Sequence, residues 1–406
     1  MATIIGGAFD EVLHGTNGND LIIDGGGNDT IFGGGGNDTV LGGTGSINLT
    51  EANGNDVITG GNGNDIMQLG NGNDFVGGSG PDHAGSGNDH ITAGNGNDTF
   101  EGGSGHDVIH AGNGNDIYDG HGGSDQLVFG NGNDVVNADD ATVTAKLGNG
   151  DNTINAGTMD SHYTAGNGAN QFVGGLANDI VTLGNGQNNV LGGLGNDHIT
   201  VGNGDNAIKS DLGNDTITAG DGHNTFDGGK GDDVIHAGNG SNLYVGESGN
   251  DQITMGNGAD TIMAGTGDTT VHLGDGNDVV QGGSGTLKLW LGAGNDTVTL
   301  GSGDATVHVG TGNETLTAGT GQDSFVFGGG GGRDVVMDFK AGEDVLVIAK
   351  NINGLNISNV NDLLGHLQTD AHGNAVLDLG HGDTVTLNNI TVSEIEAHPH
   401  NFFTVH

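Results

Sequence analysis

Cysteine is absent from the 406 residues, so neither disulfides nor thiolate metal sites can hold the chain together. Proline occurs only twice, which excludes collagen and its proline-rich Gly-X-Y period. Phe, Trp and Tyr together make up 4 % of the sequence, too little large apolar side chain for an ordinary globular core. Basic residues are scarce as well: 7 Lys plus Arg stand against 52 Asp plus Glu. Such a polyanion repels phosphate, which argues against nucleic acid and anionic lipid as partners. No apolar run approaches the roughly 20 residues of a membrane-spanning helix. Met1 to Asp10 contains no Lys or Arg and no apolar stretch of signal-peptide length, so an export address is expected elsewhere.

What is present is glycine, 89 residues of it, and a net charge of −45. That charge with this little hydrophobicity normally means disorder. A strict repeat, or a cation that neutralises the acid, would rescue a fold. The repeat is visible in Gly33-Gly34-Gly35-Gly36-Asn37-Asp38-Thr39-Val40-Leu41, a glycine-rich turn, an Asp and an alternating strand. Nine residues separate Asp20, Asp29 and Asp38, and the step continues through Ile47, Asp56, Asp65 and Asp74. It slips at Asp82 and Asp89, then holds without a break for 26 steps of nine to Asp323.

The nonapeptides alternate between two kinds of strand. In one series the residue two after the Asp site is aliphatic, as in Ile91, Ile109, Val181, Ile199 and Ile217. Two residues later comes a second apolar side chain, such as Ala93, Ala111, Phe129 or Leu183. In the other series the first site is often aromatic, as in Phe100, Tyr118, Phe172, Phe226 and Tyr244, and the second is glycine. A spacing of two places both sites on one strand face. Large side chains opposite small ones fill a thin interior between two sheets, with two nonapeptides per 18-residue coil. Thirty-five nonapeptides then give about seventeen coils, and a ~4.8 Å strand spacing makes a stack ~80 Å long.

The unit resembles the repeats-in-toxin (RTX), or haemolysin-type, calcium-binding nonapeptide G-G-x-G-x-D-x-U-x, over about three quarters of the chain. The resemblance implies an all-β fold: a right-handed parallel β-roll with 18 residues per coil and a small β-rich C-terminal cap. On that basis residues 1–19 are an N-terminal cap, 20–323 the calcium-binding roll and 324–406 a C-terminal cap or secretion-signal domain. It also implies calcium between turns one coil apart, held by Asp carboxylates and turn carbonyls. One edge then reads Asp20, Asp38, Asp56, Asp74, Asp89, Asp107 and Asp125. It loses its acid at Val143 and Ser161 and resumes at Asp179, Asp197, Asp215, Asp233 and Asp251, before Thr269, Leu287 and Ala305. The other reads Asp65, Asp82, Asp98, Asp116 and Asp134, then Asn152, Asn170, Asn188, Asn206, Asn224 and Asn242, and regains acid at Asp260, Asp278, Asp296 and Glu314.

Counting adjacent Asp pairs predicts roughly sixteen calcium ions, which would cut the net charge from −45 to about −13. Asn turns are expected to be calcium-free or weak, because stacked amides hydrogen-bond without a cation. Carboxylates ~5 Å apart along each edge predict that binding and folding are coupled.

After Asp323 the composition changes. Strands are expected at Arg333–Phe339, Asp344–Ile348, Ala375–Leu379 and Thr384–Leu387, with a short helix over Asn361–Gln368. Phe325-Val326-Phe327, Asp338-Phe339, Gly342-Glu343-Asp344 and Phe402-Phe403 resemble the C-terminal domain of type I-secreted RTX proteins. Asn401 and His406 depart from its usual acid-then-apolar ending. The same segment also reads as a plain solenoid cap, and the two roles are compatible.

His236, His272 and His308 share one outward strand position, as do Thr164, Thr182, Thr200 and Thr218. The first set reads as solvated strand residues or a transition-metal site, the second as ordinary strand threonines or an ice-binding array. No His-Glu-x-x-His occurs, the repeat uses nearly every Asp, and no catalytic module has room beside the repeats. The expected function is therefore that of a non-enzymatic, secreted, extracellular or cell-surface calcium-binding structural protein. Its expected partners are calcium, further copies of itself in a surface-layer, matrix or filament assembly, and a type I secretion apparatus. The competing expectation is a monomeric adhesin or ice binder.

Overall fold

Short alternating segments such as Thr-Ile-Ile and Leu-Ile-Ile present one apolar side chain inward between two outward ones, and the observed architecture is built from such two- to six-residue strands. The computed structural model describes residues 1–77 and 85–406 and divides into two units, Met1–Gly202 and Asn203–His406. Each is a parallel β-solenoid with two sheets, as the resemblance implies.

In the first unit one sheet runs from Thr3–Ile5 through Leu21–Ile23, Thr39–Leu41 and Val57–Thr59 to Gln171–Val173 and Asn189–Leu194. The facing sheet runs from Val12–His14 and Asp29–Gly34 to Ile180–Leu183 and His198–Val201. The two kinds of strand segregate as expected. Phe100, Tyr118, Val136, Ile154 and Phe172 form one buried column, and Ile91, Ile109, Leu127, Ala145, Tyr163 and Val181 form the other. A methyl carbon on Gly102 would lie 2.8 Å from the Tyr118 hydroxyl. The glycine makes room for the ring.

Coils approach so closely at the turns that Gly168, at φ 152°, would place a Cβ 1.9 Å from the Gly150 carbonyl oxygen. Only a residue without a side chain fits there.

The second unit repeats the pattern from Ala207–Leu212 and Thr216–Ala219 onward. Its sheets continue past Asp323 through Ser324–Phe327, Arg333–Met337 and Val345–Ile348. They end where Asp383–Leu387 pairs with Arg333–Met337, and Phe403–Val405 with Val345–Ile348. Ala375–Gly380 and Leu367–Thr369 add antiparallel strands. The expected helix is shorter, an α-turn at Val360–Leu363 followed by a 3-10 turn at Leu364–His366. A second helix, Val392–Ala397, starts with a Thr391/Glu394 capping box.

Candidate metal centre

Each acid of the repeat closes its turn and enters a strand, so the parallel register stacks acids of successive coils. Within a row, the backbone N–H of one acid donates to Oδ1 of the next. Asp20 donates to Asp38 at 2.7 Å, Asp38 to Asp56 at 2.7 Å and Asp56 to Asp74 at 2.9 Å. Asp89 donates to Asp107 at 2.8 Å, Asp107 to Asp125 at 2.9 Å, and Asp179 to Asp197 at 2.8 Å. In the second unit Asp215, Asp233 and Asp251 form such a row, and so do Asp260, Asp278 and Asp296. All these acids are buried.

The second carboxylate oxygen decides the chemistry. Among the described residues, Oδ2 of Asp38, Asp65, Asp74, Asp89, Asp98, Asp107, Asp116, Asp134, Asp179, Asp233, Asp260, Asp278 and Asp296 is buried with no hydrogen-bond partner. An unpaired buried charge is costly unless a cation or a proton meets it. Burial accordingly pushes Asp89, Asp107, Asp233 and Asp278 up to about 7 and Asp179 to about 8, against the ordinary 3.8. Neighbouring row carboxylates add to the rise. Rows of hard oxygen donors beside glycine turns fit calcium, which takes six to eight oxygens from carboxylates and backbone carbonyls.

The sequence profile of the RTX calcium-binding nonapeptide repeat matches residues 5–46, 52–82, 83–118, 92–127, 119–136, 164–199, 182–217, 200–235, 218–253, 255–286 and 288–307. The chain belongs to this RTX family. RTX repeats bind calcium, and the profile spans most of the acid rows. No curated protein matches this chain.

Within this RTX roll the asparagine turns are chemically closed. Nδ2 of Asn170 donates to the carbonyls of Gly166 at 3.2 Å and Gly168 at 3.3 Å and to Oδ1 of Asn188 at 3.0 Å. Asn224 does the same with Gly220 at 3.2 Å, Gly222 at 3.3 Å and Asn242 at 3.0 Å. The amide thus spends its protons on turn carbonyls and on the next coil's oxygen. An Asp in that position has no proton to offer them.

Row ends are closed in a related way. Asp125 is followed by Val143, and Asp251 by Thr269. Their free oxygens accept from the hydroxyls of Tyr118 at 2.5 Å and Tyr244 at 2.7 Å. At the cap, Oδ2 of Asp323 accepts from Gly319 N at 2.9 Å and that of Asp344 from Lys340 N at 2.7 Å.

The expected edges need one correction. Asp74 does not stack on Asp89: the Asp65 N–H donates to Asp89 at 2.8 Å and the Asp74 N–H to Asp98 at 2.8 Å, both across 24 residues. Ile66–Gln68 accordingly pairs with His90–Thr92. Asp89, Asp107 and Asp125 therefore follow Asp65, whereas Asp98, Asp116 and Asp134 follow Asp74. The two ladders are exchanged at the slip because the coil holds six extra residues. Asp82 lies outside the described residues.

Val143 and Ser161 interrupt a row as expected, with Ser161 Oγ accepting from Val143 N at 3.0 Å. Acids that the spacing missed are Asp334 and Asp344, which extend the rows by steps of 20 and 21 residues. Asp24 and Glu51 were also missed, four residues after Asp20 and Ile47, at buried repeat positions that otherwise carry apolar or small residues. Both oxygens of Glu51 lack a hydrogen-bond partner among the described residues, and burial with the charges of Asp56 and Asp38 pushes it up to about 8. An acid at such a position was the available signal.

His272 and His308 sandwich Trp290, with ring centroids 4.2 and 4.7 Å apart. A tryptophan between the two rings favours aromatic stacking over a metal site. Thr164, Thr182 and Thr200 align on successive coils of the first unit.

Proposed function

We propose that the chain is a secreted, non-enzymatic calcium-binding structural protein whose β-roll folds on calcium and serves as an extracellular surface-layer, matrix or filament subunit. The calcium-dependent part is carried by the rows of buried carboxylates, most of which, such as Asp89, Asp98, Asp107, Asp116 and Asp278, keep one oxygen without a hydrogen-bond partner among the described residues. The ligands assigned are Asp20, Asp38, Asp56, Asp65, Asp74, Asp89, Asp98, Asp107, Asp116, Asp125, Asp134, Asp179, Asp197, Asp215, Asp233, Asp251, Asp260, Asp278 and Asp296. At Asp125 and Asp251 the oxygen bonded to the row below takes part, since tyrosine occupies the other. Asn turns are assigned no ion, because their amide protons already satisfy the oxygens an ion would take. The boundaries follow the same reading: 1–19 as N-terminal cap, 20–323 as calcium roll, and 324–406 as cap and type I secretion signal.

The structural role is supported by outward columns repeated at coil spacing. Asn71, Asn95, Asn113, Asn131 and Asn149 link side chain to side chain at 3.0 to 3.3 Å on the exposed surface. Regular polar arrays suit lateral contact between identical copies. The aligned Thr164, Thr182 and Thr200 favour the second reading, a monomeric adhesin or ice binder. Electron microscopy of the purified chain with calcium and with chelator separates them. Calcium-dependent filaments or sheets support the structural role, whereas monodisperse particles in both conditions contradict it.

A further inference from the structure

The row that begins at Asp29 is broken at its next step. Asp29 pairs with Ile47, which has no carboxylate and is itself 1 % exposed, and the acid returns only at Asp65. Where rows stop at Asp125 and Asp251, a tyrosine hydroxyl meets the free oxygen. At Asp29 no donor does so. Its Oδ1 accepts from Glu11 N at 2.5 Å, and its Oδ2 is buried with no partner among the described residues.

What faces Asp29 is a second carboxylate. Asp24 follows directly on the strand Leu21–Ile23, four residues after Asp20, is 0 % exposed, and neither of its oxygens has a hydrogen-bond partner among the described residues. Burial raises it to about 7, the charge of the neighbouring Asp29 carboxylate adds to the rise, and the Gly43 backbone offsets only part of it. The turn between the two acids is Gly25-Gly26-Gly27-Asn28, with positive φ at Gly25 (99°) and Gly27 (114°). Gly25 and Gly27 hold the places, four and two residues before the acid, whose carbonyls take the amide protons in the Asn turns.

We propose that Asp24 and Asp29 form a calcium site within a single coil, in which Asp24 supplies the carboxylate that Ile47 withholds from the next. Two carboxylates at one hard divalent cation, with turn carbonyls beside them, are a suitable donor set. The proposal rests on the calcium reading of the rows and adds a site that stacking at one-coil spacing does not generate.

Crystals of the full chain grown in calcium test it through anomalous scattering. The expected result is a peak between Asp24 and Asp29 in addition to peaks along Asp98 and Asp116. Peaks along Asp98 and Asp116 with none at Asp24 would overturn the proposal and leave the pair sharing a proton. No peaks anywhere would instead defeat the calcium reading itself. Native mass spectrometry gives a second readout. Asp24→Ala is expected to bind one calcium fewer than the wild type. Asp24→Ala combined with Ile47→Asp, which makes the row continuous from Asp29 to Asp65, is expected to regain at least one. An unchanged count in Asp24→Ala contradicts the site.

Discussion

A single Asp in this chain answers two demands, and the pair of oxygens divides them. Oδ1 accepts the previous coil's N–H, as Asp116 does from Asp98 at 3.0 Å, and Oδ2 is left without a hydrogen-bond partner among the described residues, which the proposed calcium reading gives to the ion. Asn can meet the first demand but brings protons to the second. Asp98→Asn is therefore expected to lower the calcium count while the far-UV circular dichroism of the calcium-loaded chain stays unchanged. Loss of the folded signal would show that the carboxylate is needed for more than the ion. Tyr118→Phe removes the hydroxyl that donates to Oδ2 of Asp125, and an unpaired buried acceptor costs about 1–3 kcal/mol. A measurably lower thermal midpoint in calcium is the expected outcome, and an unchanged midpoint would dismiss the tyrosine as a row end. The Asp positions were legible because glycine turns and strands keep strict spacing around them. Asp24 and Glu51 were not, since their meaning depends on facing inward beside another acid.

At the level of a coil, hydrogen-bond register rather than the nearest acid decides what stacks on what. The sequence around Asp74, Asp82 and Asp89 reads as two shortened repeats. The chain instead keeps Met67 under Ile91 and Val76 beside Phe100, a pairing across 24 residues rather than 18. Burying matched apolar side chains outweighs uniform spacing, and spacing alone carries no information on which strand pairs. Inward columns, by contrast, were readable from alternation alone.

Turn closure depends on glycine as strictly as on acid. Gly168→Ala would force a Cβ to 1.9 Å from a backbone oxygen at a φ alanine avoids. Calcium-induced folding of that variant should require clearly more calcium than the wild type, read by circular dichroism. Equal calcium requirement would mean that the turn relaxes freely.

On the proposed calcium reading, protonation and calcium compete for the same oxygens along a row. A folded carboxyl near 7, as at Asp89 or Asp233, holds its proton more tightly than an unfolded one at 3.8. Metal-free folding is thus favoured at acid pH and loses stability as pH rises from about 4 to about 7. In chelator, circular dichroism should show more β-structure at pH 5 than at pH 8. The opposite trend would contradict the buried-row electrostatics.

Across the whole molecule, a charge of −45 is folded into coils that bury many of its acids. No interior of aromatic and aliphatic side chains this thin is expected to offset that repulsion unaided. The fold class was legible from the repeat because each coil copies its neighbour. The cap was legible only in part, since Asp334 and Asp344 continue the rows at altered spacing behind the Gly328–Gly332 and Lys340–Glu343 insertions. The central claim is that divalent ions, not side-chain packing, make the rows tolerable. Calcium titration of the exhaustively chelated chain at neutral pH, followed by far-UV circular dichroism, tests it most directly. A disordered spectrum that converts cooperatively to β-structure at sub-millimolar to millimolar calcium, and not with an equal ionic strength of sodium chloride, is the predicted result. A fully formed β spectrum in chelator, unmoved by added calcium, would contradict the account.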